Sequence, residues 1–150
     1  MEVKFAHTNI IAGDWQSLAR FYMDVFGCRP VYPERDIRGR WIDRLTGLED
    51  VHIQGIHLRL PGYADDGPTL EIFQYGRQEE NSTAPALNRQ GLAHIAFLVE
   101  DVGLFLEKLL EHGGSRLGET VEKEVEGVGV LTAVYARDPE GNIIEIQNWR

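Results

Sequence analysis

The segment AHTNIIAGDWQSLARFYMDVFGC (residues 6–28) decides the fold, because AHIAFLVEDVGLFLEKLLEHGGS (residues 93–115) repeats its pattern. Both segments begin with Ala-His. The histidine, an aspartate seven residues later and a glycine twenty residues later all recur after one shift of 87 positions: His7, Asp14 and Gly27 match His94, Asp101 and Gly114. Self-similarity of this kind is the signature of a duplicated structural unit. The chain is therefore predicted to contain two copies of one module.

Each copy has the pattern of a strand followed by a helix. The stretch VKFAHTNII is rich in apolar residues and Thr, which is typical of a strand. Asp14 is predicted to cap the helix that follows, and Gly27 to end it. In the second copy, Asp101 and Gly113 are predicted to do the same. Apolar residues between these limits recur at helical spacing in both copies.

Strand-like segments follow each predicted helix. They cover residues 28–33, 51–60 and 69–75 in the first half, and residues 116–126, 129–137 and 142–148 in the second. The stretch DPEGN before the last of them is typical of a turn, and a change in apolar pattern across Gly55 predicts a bulge there. Each half therefore reads as βαβββ. Residues 34–50 have no counterpart in the second half and are predicted to be an inserted loop, with room for a helical turn.

These elements predict an α+β fold of two tandem βαβββ modules. The modules are expected to form cupped, mostly antiparallel sheets, with helices on one side of each sheet and a cavity on the other. One domain is expected, with modules at about residues 1–78 and 91–150 and a polar linker at residues 79–90.

Composition and charge exclude several classes of partner. The net charge of -9 argues against nucleic acid, which usually requires a basic surface. No run approaches the roughly 20 apolar residues of a membrane span, and MEVKFAHTNI has no pattern of a signal peptide. Cys28 is the only cysteine, so no internal disulfide is expected. A cytoplasmic location is therefore predicted.

Four candidate metal ligands lie at repeated positions. His7 and His94 are on the first strand of each half, and Glu71 and Glu145 are in apolar runs, TLEIFQY and NIIEIQN, on the last. A carboxylate in such a run is costly to bury unless it is compensated. Two histidines and two glutamates converging on one cavity predict a single divalent ion. Imidazole and carboxylate together suit Zn, Ni, Co, Mn or Fe.

Each of these residues alone has a simpler interpretation. A single histidine in an apolar strand is more often a hydrogen-bonded core residue, and a single strand glutamate often faces water or an arginine. The repetition of all four favours the metal site. His52, His57 and His112 have no repeat partner and are interpreted as structural.

The motifs HTNI, SLARFYMDVFGC, LEIFQY, GLAHIAFLVEDV and DPEGNIIEI together resemble the vicinal oxygen chelate superfamily. This superfamily includes glyoxalase I, methylmalonyl-CoA epimerase, extradiol dioxygenases and the bleomycin and fosfomycin resistance proteins. The resemblance covers essentially the whole chain. It implies paired βαβββ modules, metal ligands at His7, Glu71, His94 and Glu145, and commonly a homodimer.

The resemblance also implies three alternative functions. The first is a lyase or isomerase of the glyoxalase I or epimerase type, in which the metal stabilises an enediolate formed from a small substrate with vicinal oxygens. The residue expected to act as the base is Glu145, and Glu71 is the second choice. The second is an Fe(II) dioxygenase that uses His7, His94 and Glu145. The third is a non-catalytic, resistance-type protein that binds a small molecule.

Overall fold

The computed structural model describes residues 2–150 and contains nine strands and three helices in that range. The described chain forms two compact units, residues 2–80 and 81–150. The first unit contains β1 (His7–Ile11), α1 (Trp15–Phe26), β2 (Arg29–Arg38), α2 (Arg40–Thr46), β3 (His52–Arg59) and β4 (Thr69–Tyr75). The second contains β5 (His94–Leu98), α3 (Val102–Glu111), β6 (Ser115–Arg116), β7 (Val121–Val125), β8 (Gly129–Arg137) and β9 (Ile143–Trp149).

The first unit is a four-stranded sheet with the order β1-β4-β3-β2. Strand β1 pairs with β4 in parallel, and the other neighbours are antiparallel. Helix α1 packs against β3 and β4. Tyr22 of α1, Leu58 of β3 and Ile72 of β4 are completely buried. Each such side chain contributes about 1.5–3 kcal/mol through removal of apolar surface from water, so this layer holds the sheet in shape.

The second unit repeats this plan with the order β5-β9-β8-β6, and β7 also pairs with β8. Strand β5 pairs with β9 in parallel, as β1 does with β4. Helix α3 lies against β8 and β9. Ile144 and Ile146 of β9 are completely buried. The predicted α+β fold with two repeated modules is therefore confirmed.

Three of the four predicted helix caps are also present, whereas α3 has His112 as its C-cap, one residue before the predicted Gly113. The Asp14 carboxylate accepts hydrogen bonds from the Ser17 amide at 3.1 Å and the Ser17 hydroxyl at 2.7 Å, and these bonds lower the pKa of Asp14. Asp101 accepts from the Leu104 amide at 2.9 Å. Gly27 ends α1 in the left-handed conformation, with φ of 71°. Each first strand is thus followed by a helix that begins at a fixed distance from its histidine.

The segment at residues 34–50 contains the helical turn that the sequence allowed, but it is more regular than the predicted loop. Strand β2 continues to Arg38, and residues 40–46 form α2. Ile42 of α2 packs with Val51, Ile53 and Phe73 in a separate apolar cluster. In the second half, the predicted strand at residues 116–126 is divided into β6 and β7.

The bulge predicted at Gly55 lies instead in the neighbouring strand. Pairing of β3 with β4 is regular through Gly55, whereas the β2–β3 register shifts between Val31 and Arg35. The apolar pattern of β3 changes because the strand is buried on both faces. Ile53 packs beneath α2, while Ile56 lies on the opposite face.

In residues 2–150, no helix combines the length and the apolar character needed to cross a membrane.

Candidate metal site

The strand register of the first unit places four polar side chains on one face of its sheet. Asn9, Glu71 and His57 are directly opposite one another on β1, β4 and β3. His7 is two residues from Asn9 on β1, and alternate residues of a strand point to the same face. His7, Asn9, His57 and Glu71 therefore share the face opposite α1.

Glu71 is the centre of this group. Within residues 2–150, three side chains contact its carboxylate: His57 Nε2 at 3.1 Å from Oε1, and His7 Nε2 and Asn9 Nδ2 each at 3.3 Å from Oε2. The Glu71 side chain is only 10% exposed. A buried carboxylate needs such partners, because its desolvation is otherwise not repaid.

His57 is held on both ring nitrogens. Its Nδ1 is 3.2 Å from the Thr69 hydroxyl, and its ring meets the ring of Phe73 edge-on at a centroid distance of 5.6 Å. Burial lowers the pKa of His57, although the negative charge of Glu71 opposes this effect. A neutral ring that donates Nε2–H to the carboxylate accepts at Nδ1 from the Thr69 hydroxyl.

The second unit contains the equivalent pair. His94 Nε2 is 3.1 Å from Oε2 of Glu145, whose side chain is 17% exposed. Tyr135 is opposite Glu145 on β8, and its ring meets that of His94 edge-on at 5.1 Å. Burial raises the pKa of Tyr135, and the nearby charge of Glu145 raises it further.

The two units differ at the positions beside each carboxylate. Ala96 of the second unit stands where Asn9 stands in the first, and Tyr135 stands where His57 stands. Glu145 therefore lacks counterparts of two of the groups that contact Glu71. The ligand pair is repeated, but its surroundings are not.

A tight turn precedes the strand that carries Glu145. The buried carboxylate of Asp138 accepts from the Glu140 amide at 2.9 Å, the Asn142 amide at 3.0 Å and the Asn142 side-chain amide at 2.8 Å. These bonds close the predicted DPEGN turn. They fix where β9 starts and hence which face of that strand Glu145 occupies.

The structure brings the four predicted residues together as two pairs, one in each unit. Imidazole nitrogen and carboxylate oxygen are a donor set that fits a divalent transition metal. Over residues 2–150, no group of three or more His, Cys, Asp and Glu side chains is arranged so that it could hold a metal ion. In the first unit, His7 and His57 approach different oxygens of Glu71.

His57, Asn9 and Tyr135 are not predicted as site residues by the repeat. His57 has no histidine at the matching position of the second half, and Asn9 and Tyr135 are common residues for strands. Their proximity to the carboxylates depends on strand register. That register is visible in sequence only where a short turn sets it.

Comparison with known proteins agrees with this architecture. Residues 4–146 match the family model of the Glyoxalase/Bleomycin resistance protein/Dioxygenase superfamily. No curated protein sequence matches the chain.

Solved structures with the same fold include three proteins of low sequence identity. A glyoxalase family protein from Bacillus cereus has a TM-score of 0.77 and 19% identity, covering 99% of this chain and 94% of its own. A fosfomycin resistance protein from Listeria monocytogenes has a TM-score of 0.61 and 18% identity, covering 100% of this chain and 96% of its own. A glyoxalase/bleomycin resistance protein/dioxygenase family enzyme from Burkholderia phytofirmans has a TM-score of 0.61 and 14% identity, covering 99% of this chain and 100% of its own.

At these identities the likeness shows the fold alone, whereas the family model spans nearly all of the sequence. This chain belongs to the Glyoxalase/Bleomycin resistance protein/Dioxygenase superfamily.

Proposed function

We propose that this protein is a divalent-metal-dependent lyase or isomerase of the glyoxalase I or epimerase type. One observation carries the proposal. Each unit places a histidine of its first strand within 3.1–3.3 Å of a largely buried glutamate on its last strand. A metal ion would offset the cost of burying both carboxylates, and the repetition of the histidine–glutamate pair supports the same role at both positions.

We assign His7, Glu71, His94 and Glu145 as the metal ligands, two from each unit. The proposed metal is Zn, Ni, Co, Mn or Fe, since all accept imidazole and carboxylate donors. When bound, a divalent ion supplies Lewis-acid polarisation of substrate oxygens. The proposed substrate is a small molecule with vicinal oxygens. The proposed assembly is a homodimer, which sedimentation analysis tests.

The chemical step proposed for this chain is removal of a proton from the carbon beside the substrate oxygens. Glu145 is the preferred base. Within residues 2–150 its hydrogen bond is made at Oε2 by His94, which supports Oε1 as the oxygen that takes the proton. Both oxygens of Glu71 are already engaged, by His57 on one side and by His7 and Asn9 on the other. Glu71 is therefore the second choice.

One observation favours an Fe(II) dioxygenase as the second candidate. The bonds from His57 and Asn9 satisfy Glu71 without a metal. A set of His7, His94 and Glu145 would then remain, which is the two-histidine, one-carboxylate triad of non-haem iron oxygenases. The two candidates differ in whether oxygen is consumed.

The proposal is tested by elemental analysis of freshly purified protein, followed by solvent hydrogen exchange. The protein is incubated in D2O with α-hydroxyketones, hemithioacetals and α-substituted thioesters, and incorporation of deuterium at carbon is followed by NMR. We expect bound metal and exchange with at least one class, and loss of exchange in Glu145→Gln.

Three results would change the conclusion. Oxygen uptake with a catechol and no hydrogen exchange would replace the lyase with the dioxygenase. Full turnover in both Glu145→Gln and Glu71→Gln with metal bound would refute the proposed base. A wild-type protein without bound metal, which also fails to bind an added divalent ion, would favour a non-catalytic binding protein.

A further inference from the structure

Histidines from the two strands that flank β4 contact different oxygens of Glu71. His7 approaches Oε2 and His57 approaches Oε1, with Nε2–O distances of 3.3 and 3.1 Å. The two imidazole rings are perpendicular, and their centroids are 6.0 Å apart. Each ring therefore has its own oxygen of the carboxylate as its partner.

The orientation of the His57 ring is set by β4 itself. Thr69 and Phe73 are the residues two before and two after Glu71, so all three lie on the same face of this strand. The His57 ring contacts both, through the Thr69 hydroxyl at Nδ1 and the edge-on contact with Phe73. Thr69, Glu71 and Phe73 are each less than a tenth exposed. A ring enclosed in this way has little freedom to turn.

We propose that His57 is a positioning residue that donates Nε2–H to Oε1 of Glu71 and so directs Oε2 towards the metal beside His7. This inference rests on the proposed function, because it concerns one of the four proposed ligands. A group that hydrogen-bonds to a metal ligand, without binding the metal itself, restricts the orientation of that ligand and raises its affinity for the ion. His57 occupies that position for Glu71.

His57 is not assigned as a fifth ligand. Its Nε2 is occupied by Oε1 of Glu71 and its Nδ1 by the Thr69 hydroxyl, so both ring nitrogens have partners. It also comes from β3, which is on the other side of β4 from the strand that carries His7. Its effect on the metal is therefore expected to pass through Glu71.

The role is specific to the first unit. The matching position opposite Glu145 is Tyr135, which has no imidazole to donate. The two carboxylates of the repeat are thus supported differently, and a change at His57 is expected to affect only Glu71.

The test measures the dissociation constant for Zn²⁺ by competition with a chromophoric chelator. His57→Phe keeps an aromatic ring beside Phe73 but removes the donor, and we expect its dissociation constant to rise about 10- to 100-fold. In His57→Gln the side-chain amide can still donate to Oε1, and we expect a value within about threefold of wild type. The control is His112→Gln, since His112 is an exposed histidine of the second unit, and no change is expected there.

The outcomes separate this inference from the proposed function. An unchanged dissociation constant in His57→Phe would overturn the positioning role. Lost binding in both His57 variants with normal circular dichroism would also overturn it, because His57 would then be a ligand. A wild-type protein that binds no divalent ion would instead refute the proposed function.

A second measurement covers the case in which His57→Phe fails to fold. In ¹⁵N-labelled wild-type protein the His57 Nε2–H proton is expected to give a slowly exchanging downfield signal. That signal should be lost in Glu71→Leu and kept in His112→Gln. If the folded wild-type protein gave no such signal, the hydrogen bond on which the positioning role depends would be refuted.

Discussion

Glu71→Gln is expected to separate metal binding from folding. Gln has nearly the shape of Glu, and its Oε1 can still accept from His57. In the wild-type protein Oε2 contacts His7 and Asn9. In the variant, the amide nitrogen of Gln takes the place of this oxygen. Rotation of the Asn9 amide by half a turn presents an acceptor to that nitrogen. The metal-free variant is therefore expected to stay within about 1 kcal/mol of wild type in free energy of unfolding.

When metal is present, the wild-type protein and Glu71→Gln are expected to differ much more in stability. At a metal concentration 100 times the dissociation constant, binding stabilises a native protein by about 2.7 kcal/mol. For a chain of this size that corresponds to a rise in melting temperature of about 5–11 °C. If loss of the ligand charge weakens binding about 100-fold, the same concentration gives only about 0.4 kcal/mol, or about 1 °C.

Thermal unfolding in EDTA and in each candidate metal measures both quantities. Glu107→Gln serves as a matched control, because Glu107 is an exposed residue of α3 and should leave the metal-induced rise unchanged. A Glu71→Gln protein that kept the full wild-type rise would refute the assignment of Glu71 as a ligand.

Three further predictions follow from single contacts. Asp138→Ala removes the acceptor for three described hydrogen bonds in a buried turn. Urea unfolding should therefore show a loss of about 3 kcal/mol in the free energy of unfolding. A loss below about 0.5 kcal/mol would contradict the role of this turn. Gly55→Ala would drive its Cβ into the carbonyl oxygen of Ile72 and to 2.9 Å from the Cα of Phe73, so it should cost about 3 kcal/mol; wild-type stability would show that β3 and β4 separate without cost. Burial raises the pKa of the Cys28 thiol from 9.0 to about 12, so a disulfide reagent at pH 8 should label it only after unfolding. The native state keeps this proton where the unfolded chain has lost it, so its contribution to the free energy of unfolding falls as the pH rises from about 9 towards 12. Fast labelling of the folded protein would contradict both statements.

The repeat predicts the fold because its signals are local. Asp14 and Asp101 bond amides three residues ahead, and Gly27 adopts the left-handed conformation at the end of α1. Each depends on its nearest neighbours along the chain, which the sequence displays directly. The strand histidines lie at a fixed distance before these caps, so their repetition is visible too.

Helix α2 could be predicted only as an optional turn within a loop. Its seven residues have a single buried side chain, Ile42, and its first residue follows a glycine without a side-chain cap. A helix this short is not stable by its own propensity. It depends on the packing of Ile42 with Val51, Ile53 and Phe73, which lie in other elements.

The neighbours of the two glutamates differ in how far sequence could reveal them. DPEGN is centred on Glu140, five residues from both Tyr135 and Glu145, so the turn implies that these residues face each other. The connection from β3 to β4 spans residues 60–68. A loop of that length does not set a unique register, so the pairing of His57 with Glu71 emerges only in the folded sheet.

The different surroundings of Glu71 and Glu145 support different roles for these two residues within the proposed ligand set. Glu71 is contacted at Oε1 by His57 and at Oε2 by His7 and Asn9, so leaving the ion would break an arrangement that the protein has built around it. Glu145 is contacted by His94 at Oε2 and has Tyr135 in place of an imidazole. A proton acceptor must change partners during turnover, whereas an anchoring ligand must not. The contacts beside the two similar carboxylates thus support the proposed assignment of the mobile role to Glu145.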